Sequence, residues 1–280
     1  MSVWFAILLG LVQGMTEFLP VSSSAHLCLL QRLFPAAAGQ GGLVFDVLLH
    51  LATLAAVCTA YRREVASILR ELGHMLLIPF LPRRKRPAPE GETRKLLLLL
   101  LLGTLPLGLA ALADGWVERL CGSVSFIGAA LLCTGCLLYL GDRLPPGRKG
   151  IREATPADAL LVGLMQALAV LPGLSRSGCT LTAGLCRGFR RKTALKYSFL
   201  LSLPAILGAS LLKLREVFRG GLDPCILPAC LLGMLAAGIS GCLSIRGLRI
   251  LSERGRLSRF RWYCWGLGLI CLLYGIFLKG

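Results

Sequence analysis

Acidic side chains are scarce in this sequence: 14 Asp and Glu stand against 31 Lys and Arg in 280 residues, and only 16% of the chain is charged. A water-soluble protein of this length needs more polar surface than that, so a soluble fold is excluded. In its place, 55% of the residues are hydrophobic, and several stretches approach the roughly 20 apolar residues that cross a bilayer core. A positive n-region is also lacking. Nothing basic precedes the apolar residues 3–12, and Gln13 and Glu17 follow where a cleavage region would be small and bland. The N-terminus is therefore expected to be retained. Twelve cysteines are present, but none sits beside a βαβ pattern. Scattered through apolar segments, they read as small hydrophobes, the Cys133/Cys136 pair included.

The charge that is present is concentrated. A net +17 first suggests nucleic acid. However, 24 of the 31 basic residues fall in four short segments, 62–95, 142–156, 187–196 and 246–261, between apolar stretches. That is the pattern of cytoplasmic loops facing an anionic leaflet, and it excludes a nucleic-acid partner. The run Arg83-Arg84-Lys85-Arg86 belongs to the same pattern.

Hydropathy predicts an all-α integral membrane protein with six transmembrane helices, at about 43–61, 95–113, 123–141, 194–213, 225–245 and 262–279. Two further apolar stretches, 3–35 and 157–189, are broken in the middle, at Leu19-Pro20-Val21-Ser22-Ser23-Ser24 and at Leu171-Pro172-Gly173-Leu174-Ser175-Arg176-Ser177-Gly178. A helix does not pass smoothly through such residues. Each stretch is read as a re-entrant helix–loop–helix, which is tolerated at membrane depth only where protein or water covers it.

The two halves repeat. Gly10-Leu11-Val12-Gln13 matches Gly163-Leu164-Met165-Gln166, Leu19-Pro20 matches Leu171-Pro172, and the stretch from Asp46 matches that from Ser198. Each half holds one broken segment and three spans. Three is odd, so residues 1–156 and 157–280 are expected to have opposite topology, with a site at their interface near the midplane.

Two polar clusters lie in the broken segments. Gln13 and Glu17 share a helical face, followed by Ser22, Ser23, Ser24 and His26. A carboxylate at membrane depth marks function by default. In the second cluster, Arg176 brings a planar cationic fork suited to phosphate, beside Ser175, Ser177, Thr180 and the N–H groups of a new helix. Asp46 and His50, four apart on the first full span, could support the site. Carboxylates suit a hard divalent cation, and a hydroxyl nucleophile and a proton carrier are at hand. These residues suit phosphate chemistry on a membrane-embedded substrate. The rival reading is a transporter or flippase of a lipid phosphate, which needs the anion site but no nucleophile.

The stretch Gln13-Gly-Met-Thr-Glu17-Phe-Leu-Pro-Val-Ser-Ser-Ser-Ala-His26 resembles the first signature of the bacterial undecaprenyl-diphosphate phosphatases, the bacitracin-resistance phosphatases. Pro172-Gly-Leu-Ser-Arg-Ser-Gly-Cys-Thr180 resembles the second, and the likeness runs over the whole chain. The resemblance implies hydrolysis of undecaprenyl diphosphate, which returns the lipid carrier to peptidoglycan synthesis. It implies an inner-membrane enzyme open to the periplasmic side, using Mg²⁺ or Ca²⁺, with a homodimer as one expected state. Carried over, Glu17, Ser23, His26 and Arg176 would be catalytic. Ser22, Ser175, Ser177 and Thr180 would bind substrate, and Gln13 with Glu17 would bind metal. The chain departs from the common pattern at Gln13, where Glu is usual, and at Asp46 and His50, where Glu and Gln are common.

Overall fold

A computed structural model of the chain describes residues 2–35, 42–77, 91–110, 119–220, 226–253, 257 and 259–277. Within them the regular structure is helical. In chain order the helices are α1 Val3–Phe18, α2 Ser23–Leu33, α3 Gly42–Ala60, α4 Arg62–Leu77, α5 Gly91–Ala110, α6 Val124–Arg143, α7 Pro156–Leu168, α8 Arg176–Cys186, α9 Arg191–Gly220, α10 Leu227–Glu253 and α11 Arg259–Phe277.

Among the described residues, four helices are long and apolar enough to cross a membrane: Val124–Arg143, Arg191–Lys213, Leu227–Ser252 and Arg259–Phe277. A fifth joins them if Val44–Ala60 and Arg62–Leu77, which meet at 95°, count as one broken span. The span expected at 95–113 corresponds to α5, which opens on Glu92, Arg94 and Lys95 and is not among these. Residues 111–113 of that expectation lie outside the described residues, as do 225 and 278–279 of two others and the basic run 83–86.

The loop expected from residue 62 is corrected in its first part, because residues 62–77 form helix α4. The basic residues masked its amphipathic pattern. Val65 and Ile68 pack against the main core while Arg62 and Arg63 stay exposed.

Both broken segments take the helix–loop–helix form. Helix α1 starts at Ser2, whose hydroxyl accepts from the Phe5 N–H at 3.3 Å. It stops at Leu19, forced into extended backbone by the following proline. Helix α7 starts on a Thr155/Asp158 capping box with Pro156 in the first turn, and ends before the Pro172-Gly173 loop. At 16 and 13 residues, α1 and α7 span roughly 24 and 20 Å, short of the roughly 30 Å hydrocarbon core.

Backbone-to-backbone contact sets the helix pairing. Helix α1 packs on α10, α7 on α5, and α6 on α11. A methyl group on Gly10 would meet the Gly233 carbonyl, and one on Gly163 would meet the Gly103 carbonyl. Small residues at such crossings let membrane helices approach closely. Phe5, Leu9, Phe45, Leu49 and Ala237 fill the seam of α1, α3 and α10. A larger core around Tyr197, Phe199 and Leu200 joins α9 to α3, α5, α7 and α8. At the mouth of the second hairpin, Asp158 accepts from Arg187 Nε at 2.5 Å and Lys149 Nζ at 3.3 Å.

Candidate active site

The two hairpin loops meet. Glu17, in the last turn of α1, is 6% exposed, and its carboxylate receives three donors. Arg176 Nη2, from the start of α8, donates to Oε1. Ser23 Oγ donates to Oε2 at 2.6 Å and Gln13 Nε2 at 2.9 Å. The loops are also joined directly, since Ser177 Oγ donates to the Leu19 carbonyl at 3.1 Å. An ion pair thus joins the two hairpins, with the Glu17 side chain 4% exposed and that of Arg176 18% exposed.

Local backbone positions these groups. Ser22 caps α2 with φ +70, the only non-glycine residue at positive φ among those described. A residue held there is strained, and such strain gathers at working sites. The turn it makes throws Ser23 back toward Glu17. In the second hairpin Gly173 has φ +98, and a methyl group there would lie 2.7 Å from the Ile127 carbonyl oxygen. Ser175 caps α8, its hydroxyl accepting from the Gly178 N–H at 3.1 Å, while its own N–H donates to Thr134 Oγ1 at 3.0 Å. Thr134, buried in α6, thus fixes the loop that carries Arg176.

A cavity of about 370 Å³ opens on this cluster, its walls including Glu17, Ser22, Ser23, Ser175, Arg176, Asp46 and His50. Gln13, His26, Ser177 and Thr180 do not line it. Thr180 hydrogen-bonds Ser198 at 2.6 Å and the Arg176 carbonyl at 2.8 Å, so it supports the arginine's helix. His26 turns away from Ser23. Its Nδ1–H donates to the Ser22 carbonyl at 2.7 Å, which leaves Nε2 to accept from Tyr263 at 2.5 Å, with the two rings stacked. His50 faces the site instead. Its Nδ1–H donates to the Asp46 carbonyl at 2.7 Å, so its basic Nε2 is the atom that stands 3.9 Å from Glu17 Oε2. Asp46 accepts from Gln31 at 3.0 Å on the cavity wall.

Sequence reasoning missed Thr134, Tyr263 and Gln166. Gln166 is 1% exposed, lines the cavity, and has neither amide atom hydrogen-bonded. The likeness of Gly163-Leu164-Met165-Gln166 to Gly10-Leu11-Val12-Gln13 was the signal available for it. Among the described residues no group of three His, Cys, Asp or Glu converges as a metal site. The oxygen donors near Glu17 still suit a hard cation: the buried Gln13 Oε1 has no hydrogen-bond partner beside that carboxylate.

A multi-pass membrane bundle whose paired loops juxtapose arginine, carboxylate and a hydroxyl at a buried cavity belongs among the membrane-embedded hydrolases of anionic lipids. Residues 6–270 match the bacitracin resistance protein BacA family, and the chain belongs to that family. It is 38% identical over 277 residues to an undecaprenyl-diphosphatase of Alkaliphilus metalliredigens, covering 99% of this chain and all of that protein. Identity is also 38% to the undecaprenyl-diphosphatase of Carboxydothermus hydrogenoformans, over 98% and 97% of the two chains. Methanobrevibacter smithii, an archaeon, has another at 38%, over 99% of each. The family thus reaches beyond the bacterial membranes that the motif resemblance implied.

Proposed function

We infer that this chain is an undecaprenyl-diphosphatase, releasing the terminal phosphate of the lipid diphosphate to leave the lipid monophosphate. The observation that carries the reading is the meeting of Arg176, Glu17 and Ser23 at one cavity. Arginine's remaining N–H donors hold the terminal phosphate at the N-terminus of α8 and stabilise charge on its equatorial oxygens. Ser23 Oγ attacks phosphorus as its proton passes to Glu17. The anhydride bond breaks and the lipid monophosphate leaves as an anion that needs no proton. Water then attacks the phosphoserine, Glu17 returns its proton to the departing Ser23 oxygen, and His50 Nε2 takes the proton of the water. His26, held by Tyr263, positions the first turn of α2.

A divalent cation, Mg²⁺ or Ca²⁺, would be held by Gln13 Oε1 and Glu17. When bound it supplies neutralisation of the diphosphate charge.

An inverted repeat of six spans and two re-entrant hairpins completes the reading. Exchanging the halves carries α1 onto α7 and α5 onto α10, and with them the Gly10–Gly233 contact onto Gly163–Gly103. The basic segments then face the cytoplasm and the cavity opens outward. The lipid tail has room beside the site. A second, largely apolar cavity of about 490 Å³ lies along α5 and α9 and shares Leu107, Val170, Ala205, Ala209 and Lys213 with the first.

Phosphate release from undecaprenyl diphosphate by detergent-solubilised protein tests the proposal, because micelles have no sides and a carrier releases nothing. The wild type should turn over, and Ser23→Ala should lose about two or more orders of magnitude. Ser23→Ala turning over normally would remove the serine from the mechanism, and no release by the wild type would remove the function.

A further inference from the structure

The mechanism makes no use of two cysteines on the cavity wall. Cys28, on α2, and Cys121, just ahead of α6, bring their sulfur atoms to 3.1 Å. Both line the cavity that holds Glu17, Ser23 and Arg176. A disulfide needs sulfurs roughly 2.0 Å apart, so about 1 Å separates the pair from bonding distance.

The neighbouring residues hold the pair in register. One turn along α2, Arg32 Nη1 donates to the Gly122 carbonyl at 2.5 Å, beside Cys121. The 119–122 turn is itself closed by the Gly122 N–H on the Arg119 carbonyl at 3.2 Å and runs straight into the Ser123 cap of α6. Cys28 also packs against the cluster that Ala25 of α2 forms with Ile127 and Leu131 of α6. Helix α2 carries Ser23 at its first position, so a bond at Cys28 would fasten the nucleophile's helix to α6 across the cavity wall.

We propose that Cys28 and Cys121 form an oxidisable pair whose disulfide locks α2 to the start of α6 and slows passage of the lipid diphosphate into the cavity. The slowing rests on the phosphatase reading above. The bond itself does not. The step is thiol–disulfide exchange with a disulfide donor. One thiolate attacks a donor sulfur and releases the first donor thiol, and the second thiolate attacks the protein sulfur of the mixed disulfide and releases the other donor thiol. The pair loses two electrons and two protons, and the donor disulfide is reduced to two thiols. On the outward-facing side proposed here, such donors and their products persist.

The test uses the full-length protein in detergent, treated with oxidised glutathione and then with N-ethylmaleimide. Expected is a linked peptide pair containing Cys28 and Cys121 and lacking two hydrogens, together with a fall in phosphate release of about fivefold or more, reversed by dithiothreitol. In Cys28→Ser and in Cys121→Ser, each compared with its own reduced form, oxidation should leave the rate unchanged. That control separates the pair from the exposed Cys133, Cys136 and Cys186. Recovery of both cysteines as maleimide adducts would overturn the proposal. A linked pair with an unaltered rate would overturn the throttling, and equal inhibition of the serine variants would assign the effect to other cysteines. A linked peptide in protein that never releases phosphate would count against the enzymatic reading alone.

Discussion

Replacing Glu17 by glutamine keeps the shape of the side chain and removes its charge and its basicity. Three donors converge on the carboxylate, from Arg176, Ser23 and Gln13. An amide keeps one acceptor oxygen, but its NH₂ faces at least one of those donors. Loss of a charge-assisted hydrogen bond to a buried cation costs about 1.5–3 kcal/mol of stability. Outright removal of the partner would cost about 3–5 kcal/mol. The variant should therefore fold with a lowered melting temperature. The kinetic effect is larger. A general base contributes roughly 10²–10⁴ in rate, or about 3–5.5 kcal/mol of barrier. Substrate affinity moves the other way. With Glu17 neutral, Arg176 has lost its counter-charge and is freer to bind phosphate. At saturating divalent cation, Glu17→Gln should lower kcat by about two to four orders of magnitude, with KM unchanged or reduced. Steady-state phosphate release from solubilised protein, beside a thermal melt, reads both. A raised KM with kcat within tenfold of wild type would refute the base assignment and make Glu17 a binding residue.

The two histidines should separate: His50→Asn should cost about 10- to 100-fold in kcat, while His26→Asn should chiefly lower thermal stability, by about 1 kcal/mol for the lost Tyr263 bond. The reverse order in a paired assay would return His26 to proton transfer. Gln166→Leu removes a buried amide with no partner, so the protein should gain about 1–2 kcal/mol in melting experiments while phosphate release falls. Unchanged activity would leave the amide without a part in binding. Gly233→Leu, and separately Gly103→Leu, should each destabilise by about 1–3 kcal/mol or more, because each pushes apart a seam where backbones touch. A melting temperature within a degree of wild type at either would contradict the described packing.

Both hairpins and their partnership were legible in the chain because their signals are chemical. Pro20 and Pro172 stand in polar, glycine- or serine-containing breaks, unlike Pro106 and Pro204, which lie inside α5 and α9, and a lone Glu17 or Arg176 in apolar surroundings needs a partner of opposite charge. Helix α4 was not legible, because its basic residues carry the topology signal of a loop while Val65 and Ile68 quietly keep helical spacing. The choice between His26 and His50 was equally closed to sequence. Each follows a carbonyl four residues back, and only the third dimension shows one Nε2 held by Tyr263 and the other facing Glu17. Thr134 was silent for a related reason: a threonine inside an apolar helix ordinarily bonds its own backbone, as this one also does to Ala130.

The salt link between α1 and α8 sets an order of events during synthesis. When Glu17 leaves the ribosome, its cationic partner lies 159 positions downstream, and α10, the helix that clasps α1, comes later still. A carboxylate without its cationic partner is costly in hydrocarbon. The first hairpin therefore gains its full set of partners only after α8 and α10 are made, so the earliest part of the polypeptide is among the last to complete its contacts.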